Sequence, residues 1–146
     1  MWITINGEQV NSSKIRNAVV GPVDISLGTD RYGRETIRSF GHGVKVTMKN
    51  GTVYRSGNDS ATRNINELKR AGFITVNDNV MLNPDEIKTA FNSAVRIFQY
   101  RHYGTDYYAN YGNGLVIDTE SGDRYSSANE TAEANRRTLR AQGMKI

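Results

Sequence analysis

Slide this chain 71 residues along itself and it meets its own pattern again. Ile3-Thr4 recurs as Ile74-Thr75, Asn6 as Asn77, and Tyr32-Gly33 as Tyr103-Gly104. Gly41 and Gly43 recur as Gly112 and Gly114, and Gly51, Tyr54, Ser56 and Asn58 as Gly122, Tyr125, Ser127 and Asn129. Ala61, Asn64, Leu68 and Gly72 recur as Ala132, Asn135, Leu139 and Gly143. One extra residue in the second segment, opposite the stretch between Gly7 and Leu27, adds five more matches. Asn11, Ile15, Ala18, Val23 and Ile25 then answer to Asn83, Ile87, Ala90, Val95 and Ile97. Composition alone would give about five matches, a quarter of those found.

A tandem duplication therefore organises the expectation: an α+β chain with one repeat over 1–72 and a second over 73–146. Units of about 72 residues bury too little surface to be comfortable alone. They are expected to pack as one compact body about a pseudo-twofold axis. Each is expected to run β-α-β-β-β-α, with antiparallel sheets and the helices on one face. The opening strands are Ile3-Thr4-Ile5 and Phe73-Ile74-Thr75-Val76. The first helix of each unit is expected from Asn11-Ser12-Ser13 to about Val20, and from Asn83-Pro84-Asp85-Glu86 to about Asn92. The second of these has a capping side chain, a proline at the first helical position and acids in the first turn.

Period-two alternation marks strands at Val23, Ile25, Leu27 and at Val44, Val46, Met48. Asn50-Gly51 predicts a hairpin before Thr52-Val53-Tyr54, with Ser121-Gly122 in the same place later. Gly41-x-Gly43 and Gly112-x-Gly114 predict a bulge or tight bend. A closing helix follows Asn58-Asp59-Ser60 and Asn129-Glu130-Thr131. Ala61, Asn64 and Leu68 fall on one face, as do Ala132, Asn135 and Leu139, and Gly72 and Gly143 suit the residue just past a helix end.

Shared residues report the fold, so the divergent ones are where function is sought. Residues 1–75 carry 11 Lys and Arg against 6 Asp and Glu, whereas residues 76–146 carry 8 against 9. A two-residue turn at Asn50-Gly51 would put Lys45, Thr47, Lys49, Thr52 and Tyr54 on one outward face, a basic surface extended by Arg31, Arg34, Arg38 and Arg55. The matching places are Val116, Asp118, Glu120, Asp123 and Tyr125, an acidic surface. Tyrosine diverges as well: five of the eight lie between residues 100 and 111. Tyr100, Arg101, His102, Tyr103, Tyr107, Tyr108 and Tyr111 make a Tyr/Arg-rich stretch with the composition of a binding hot spot. Adjacent Tyr107 and Tyr108 point to opposite faces of a strand, so both are core only if both faces are covered.

No cysteine is present, which excludes disulfides, thiolate metal sites and a cysteine nucleophile. No nucleophile-elbow, zincin, P-loop or dinucleotide fingerprint occurs, and the two histidines, His42 and His102, are not duplicated. Neither a cofactor nor a metal is expected. No apolar run approaches the roughly 20 residues of a membrane span, and the N-terminus lacks a secretory pattern, so a cytoplasmic protein away from membranes is expected. The expected function is non-enzymatic: docking on a protein or nucleoprotein through the Tyr/Arg hairpin, as an inhibitor or modulator of phage or mobile-element type, such as one that counters host defence. The alternative is direct binding of nucleic acid or a nucleotide, with phosphates on the basic repeat and bases on the tyrosines. Opposite charges on related hairpins would also allow a homodimer.

Overall fold

The computed structural model describes residues 1–76 and 79–146. Two compact units emerge, Met1–Phe73 with Asn79–Asn83, and Ile74–Asp78 with Pro84–Ile146. The architecture is α+β, with antiparallel sheets and two α-helices.

In the first unit, β1 (Trp2–Ile5) and β2 (Glu8–Asn11) form a hairpin. Its two-residue turn is Asn6-Gly7, with φ of 50° and 79°. Both residues are left-handed, the mirror-image turn whose twist matches the strands and which Asn-Gly favours. A single 3₁₀ turn over Ser12–Lys14 follows, capped by Asn11, whose Oδ1 accepts the Ser13 N–H at 3.1 Å. Then come β3 (Ile15–Thr29), β4 (Glu35–Met48), β5 (Val53–Gly57) and helix α1 (Asn58–Arg70). After α1 the chain forms two short strands, β6 (Ile74–Thr75) and β7 (Val80–Leu82). Strand β7 belongs to the first unit and lies against β3, so within this unit the sheet runs β5-β4-β3-β7. Helix α1 covers β1, β4 and β5, and Ile3, Ile15, Ala18, Val46 and Leu68 are buried between the layers.

The second unit has a 3₁₀ turn at Pro84–Glu86, β8 (Ile87–His102), β9 (Thr105–Thr119), β10 (Arg124–Ser127) and α2 (Asn129–Ala141). The sheet order is β10-β9-β8, and α2 packs on β9. Both helices end alike. The Phe73 N–H reaches the Leu68 carbonyl at 3.1 Å and the Gly72 N–H reaches Lys69 at 2.9 Å. Met144 and Gly143 do the same to Leu139 and Arg140, at 3.0 Å each. This is the double closure that needs a left-handed residue past the helix end, and Gly72 and Gly143 supply it at φ of 87° and 97°.

Three sequence expectations are corrected. The first helix of each unit, 11–20 and 83–92, does not form. One 3₁₀ turn stands in its place and the chain continues as the long strands β3 and β8, so each unit has no helix between its first strand and its sheet. The caps at Asn11 and Asn83-Pro84 are local signals. Non-local pairing of β-branched Ile15, Val19 and Val20 with β4 outweighs them. The second correction is register. The turn after β4 has three residues, Lys49-Asn50-Gly51, with Gly51 at φ of 93° and the Met48 N–H on the Thr52 carbonyl. Every pair shifts by one, so Arg55 faces Lys45 and Tyr54 faces Val46. The outward face thus holds Lys45, Thr47, Val53 and Arg55, while Tyr54 turns toward the core. The second unit shifts identically, and Asp118 faces Arg124. The helix caps expected at Asn58 and Asn129 also fail to form. The N-cap positions are Gly57 and Ala128, neither with a side-chain cap bond, and Asn58 and Asn129 both sit at φ of 54°.

Candidate functional site

Beyond the layers under the helices, the paired strands β3–β4 and β8–β9 continue as two long arms. From Val19 to His42 no residue is buried, and the same holds from Arg96 to Asn113. Nine residue steps of strand, Val20 to Thr29, span about 30 Å. Each arm leaves its sheet at a break in register, between Gly21 and Val23 opposite Gly43 in one, and between Ser93 and Val95 opposite Gly114 in the other. A Cβ at Gly43 would collide with Val23 Cγ2, and one at Gly114 with Val95 Cγ1. The glycines expected to mark a bend are therefore the partners of bulged strands that let the arms change direction.

The tip of the second arm is a two-residue turn, Tyr103-Gly104, between His102 and Thr105. Both turn residues are left-handed, at φ of 47° and 76°. That is costly for a tyrosine and ordinary for an asparagine. Tyr103 is 94% exposed, so packing does not explain its presence there. Behind it, Tyr100 and Tyr107 stack at 4.9 Å with 17° between ring planes. Phe98 meets Tyr108 edge-on at 5.8 Å, and the Arg96 guanidinium lies 4.1 Å above the Tyr108 ring. Tyr107 and Tyr108 are each 43% exposed, one on each face, so neither face is core. Arg101 grips Asp106 through two hydrogen bonds, 2.6 and 3.2 Å, across the hairpin. His102 rests edge-on against Tyr103 at 4.2 Å. Tyr111 departs from the group: it is half-buried against Val95, Val116 and Ala128 at the arm's root.

The first arm ends in a turn held by Asp30, whose Oδ1 accepts the N–H groups of Tyr32 (2.8 Å) and Arg34 (2.9 Å). Arg31 and Arg34 approach the Tyr32 ring at 4.9 and 5.2 Å, and Arg38 the Phe40 ring at 5.0 Å. Tyr32, Leu27 and Ile37 are exposed. Thus Arg31, Arg34 and Arg38 lie on the arm, whereas Lys45 and Arg55 lie side by side at its root and Lys49 lies in the next turn. Tyr54 is not on that outward face. Its hydroxyl donates to Glu8 Oε2 at 3.0 Å, and this bond raises its pKa above the ordinary tyrosine value.

Sequence reasoning missed a cleft of about 640 Å³ between the first arm and α1, lined by Asn6, Phe40, Arg55, Arg63, Asn64 and neighbours. The shared Asn64 is structural. Its Oδ1 accepts the Asn6 N–H at 3.2 Å, and its Nδ2 donates to Ser56 Oγ at 2.8 Å and Asn6 Oδ1 at 2.9 Å. In the second unit, Ser127 Oγ and Asn135 Nδ2 have no hydrogen-bond partner among the described residues, and Asn77, the match of Asn6, lies outside them. A buried arginine replaces Ile65: Arg136 donates to Asn92 Oδ1 (2.7 Å) and to the carbonyls of Asn113 (2.6 Å) and Gly114 (3.0 Å), tying α2 to the arm root.

The acidic surface expected on the second hairpin is partly neutralised. Arg124 binds Asp118 at 2.7 and 2.9 Å, and that guanidinium holds the Asp118 carboxyl below the usual carboxylate range. Among the described residues no group of three acids or histidines is placed to hold a metal, and no helix is long and apolar enough to cross a membrane. His42 Nε2 lies 2.9 Å from Thr62 Oγ1, and Asp106 is taken by Arg101, so His102 and Asp106 are not paired with each other. Compared with protein-family models, curated proteins and solved structures, the chain matches none.

Proposed function

We propose that the chain is a tandem duplication whose two hairpin arms dock on a protein or nucleoprotein, modulating it by occupancy and not by chemistry. The observation that carries this reading is the second arm's tip. Five large rings, from Phe98 to Tyr108, are exposed on both faces of a two-stranded ribbon that has no core of its own. An isolated ribbon is marginal in water, and exposed Tyr beside Arg is the chemistry of interface hot spots. The strained Tyr103 turn points the same way, because a costly left-handed tyrosine persists where binding uses it.

Protein is favoured over bare nucleic acid by how the rings are already engaged. Tyr100 and Tyr107 face each other, Arg96 covers Tyr108, and arginines flank Tyr32. One face of each of these rings is thereby taken, which leaves less of the arms' aromatic surface for base stacking. A second reading rests on the cleft beside α1, where Arg55 and Arg63 would take a small anion such as a nucleotide.

The test is capture from nuclease-treated and untreated bacterial lysate by the immobilised protein, beside a Tyr107→Ser, Tyr108→Ser variant. A partner that survives nuclease and is lost by the folded variant supports docking through the arm. A partner lost to nuclease, with binding falling log-linearly in salt, supports the nucleic-acid alternative. Calorimetry with ATP on wild type and Arg55→Ala tests the cleft.

A further inference from the structure

Strand β3 is paired on both sides. Opposite β4 it takes β7, with Asn17 facing Leu82, Ala18 facing Met81 and Val19 facing Val80. The joint is extended by the Val20 N–H on the Asn79 carbonyl at 2.9 Å. It is locked by Asn83, whose buried Nδ2 donates to the carbonyls of Ser12 (3.0 Å) and Ile15 (2.7 Å). Under β7, Ile15 and Ala18 are fully buried.

The residues matching β3 lie in β8, and those matching β7 lie in β2. Among the described residues each has a neighbour on one side only: β8 has β9, and β2 has β1. Ile87 and Ala90, which match Ile15 and Ala18, are only half-buried. Taken by itself, the first unit therefore holds one completed joint and, in β2, a strand with an open edge, and the second unit by itself holds in β8 an acceptor edge without a strand. An open edge of this length is a template for strand addition.

We propose that the two halves meet between molecules: β2 of one copy adds to the β8 edge of the next. The pairing follows the completed joint, with Val10 facing Thr89, Gln9 facing Ala90 and Glu8 facing Phe91. Hydrogen-bond phase offers an independent check. The bond between Val20 and Asn79 makes Ala18 and Met81, two residues away, a pair that exchanges both backbone bonds across the joint. By register Ala90 then turns its N–H and C=O outward from β9. In the N-terminal hairpin the two-residue turn makes Ile5 and Glu8 the bonded pair, so the N–H and C=O of Gln9 turn outward from β1. The two residues that would face each other are both presenting free backbone groups.

Donor and acceptor are different surfaces, so the contact is heterologous and repeats head to tail, closing as a ring or running on as a filament. Gln9 stands where Met81 seals the completed joint, so the intermolecular version is weaker and reversible. The proposal rests on the residue correspondence between the two segments and not on the arms.

Sedimentation of the full chain from micromolar to millimolar concentration tests it. The expected result is a mean mass rising well above the 16.3 kDa monomer. Gln9→Pro and Ala90→Pro each remove one outward N–H and leave the ladder inside the molecule intact. Each variant alone stays monomeric. Their equimolar mixture forms a two-chain species and stops there, because one competent edge and one competent strand remain. Amide exchange on the unaltered protein gives a readout free of variants: Gln9 and Ala90 slow as concentration rises. A wild type that stays monomeric, a Gln9→Pro variant that still associates, or exchange independent of concentration overturns the proposal. A Tyr107→Ser, Tyr108→Ser protein that assembles normally keeps this inference separate from docking by the arm.

Discussion

Strands β3 and β8 open with the same spacing, Ile15 and Ala18 in one, Ile87 and Ala90 in the other, yet the first pair is sealed and the second is half open. The difference is three residues of β7 laid along one edge. Burial here is a property of what arrives beside a strand, and identical residues can be core in one unit and half-buried in the other. The arms teach the converse. They diverge in composition, with an Arg-flanked Tyr32 on one tip and stacked tyrosines on the other, but both leave their sheets at a bulge facing a glycine.

The sharpest way to break the first contrast is to put a charge at each alanine. Ala18→Asp buries an unpaired carboxylate and should cost about 3–5 kcal/mol or unfold the first unit. Ala90→Asp, at a half-open edge, should stay within about 1 kcal/mol. Urea unfolding followed by amide exchange in each unit separates the two, and equal losses would mean the β8 edge is covered in solution. Next in size, Gly43→Ala and Gly114→Ala should each cost about 1–3 kcal/mol, because the new methyl meets a valine and a backbone carbonyl at both bends. Similar losses would show that the arms share one mechanical root. A loss in only one would restrict that role to a single unit.

The helices and their closures were legible because their signals are local. A 3.6-residue period and a glycine past the end need no knowledge of the rest of the chain, and α1 and α2 appear where Leu68, Gly72, Leu139 and Gly143 put them. The residues after Asn83 read as a helix because their cap is also local, whereas the strand pairing that overrules it joins Ile87 to Thr119 across the arm. Asn6-Gly7 between Ile5 and Glu8 is the same Asn-Gly signal as Asn50-Gly51, and it closes a hairpin where the sequence reading expects a single opening strand. At the hairpin after β4 the turn lies where Asn50-Gly51 predicts it but is one residue longer, and that single residue moves Tyr54 from the outward face toward the core. At the arm's tip the opposite-face geometry of Tyr107 and Tyr108 was readable in advance. The left-handed Tyr103 was not, since nothing in composition distinguishes a strained tyrosine from a relaxed one.

That turn gives a smaller effect with an informative sign. Tyr103→Asn should stabilise the second arm by about 0.5–1 kcal/mol, read by thermal unfolding, while weakening capture of the partner. Tyr32 in the first arm has no such strain to release, so Tyr32→Asn should yield no gain. The smallest effect concerns Asp118. Arg124 lowers its folded pKa, so its stabilisation is present above the ordinary carboxylate pKa and is lost as pH falls through the folded value. The stability advantage of wild type over Asp118→Asn should therefore persist at pH 6 and shrink below about pH 4. Thr47, in the matching place of the first unit, confers no such acid dependence.

The loan of β7 to the first unit also governs how a ribosome can make this protein. A nascent chain that has emerged only as far as Phe73 has both helix α1 and all the strands up to β5, yet Ile15 and Ala18 are still bare along one side. Only when Asn83 is out of the exit tunnel can its amide close over the Ser12 and Ile15 carbonyls. Any expression plasmid that stops at the apparent repeat junction would therefore yield an unfinished first unit, and eleven further codons, through Asn83, would complete it.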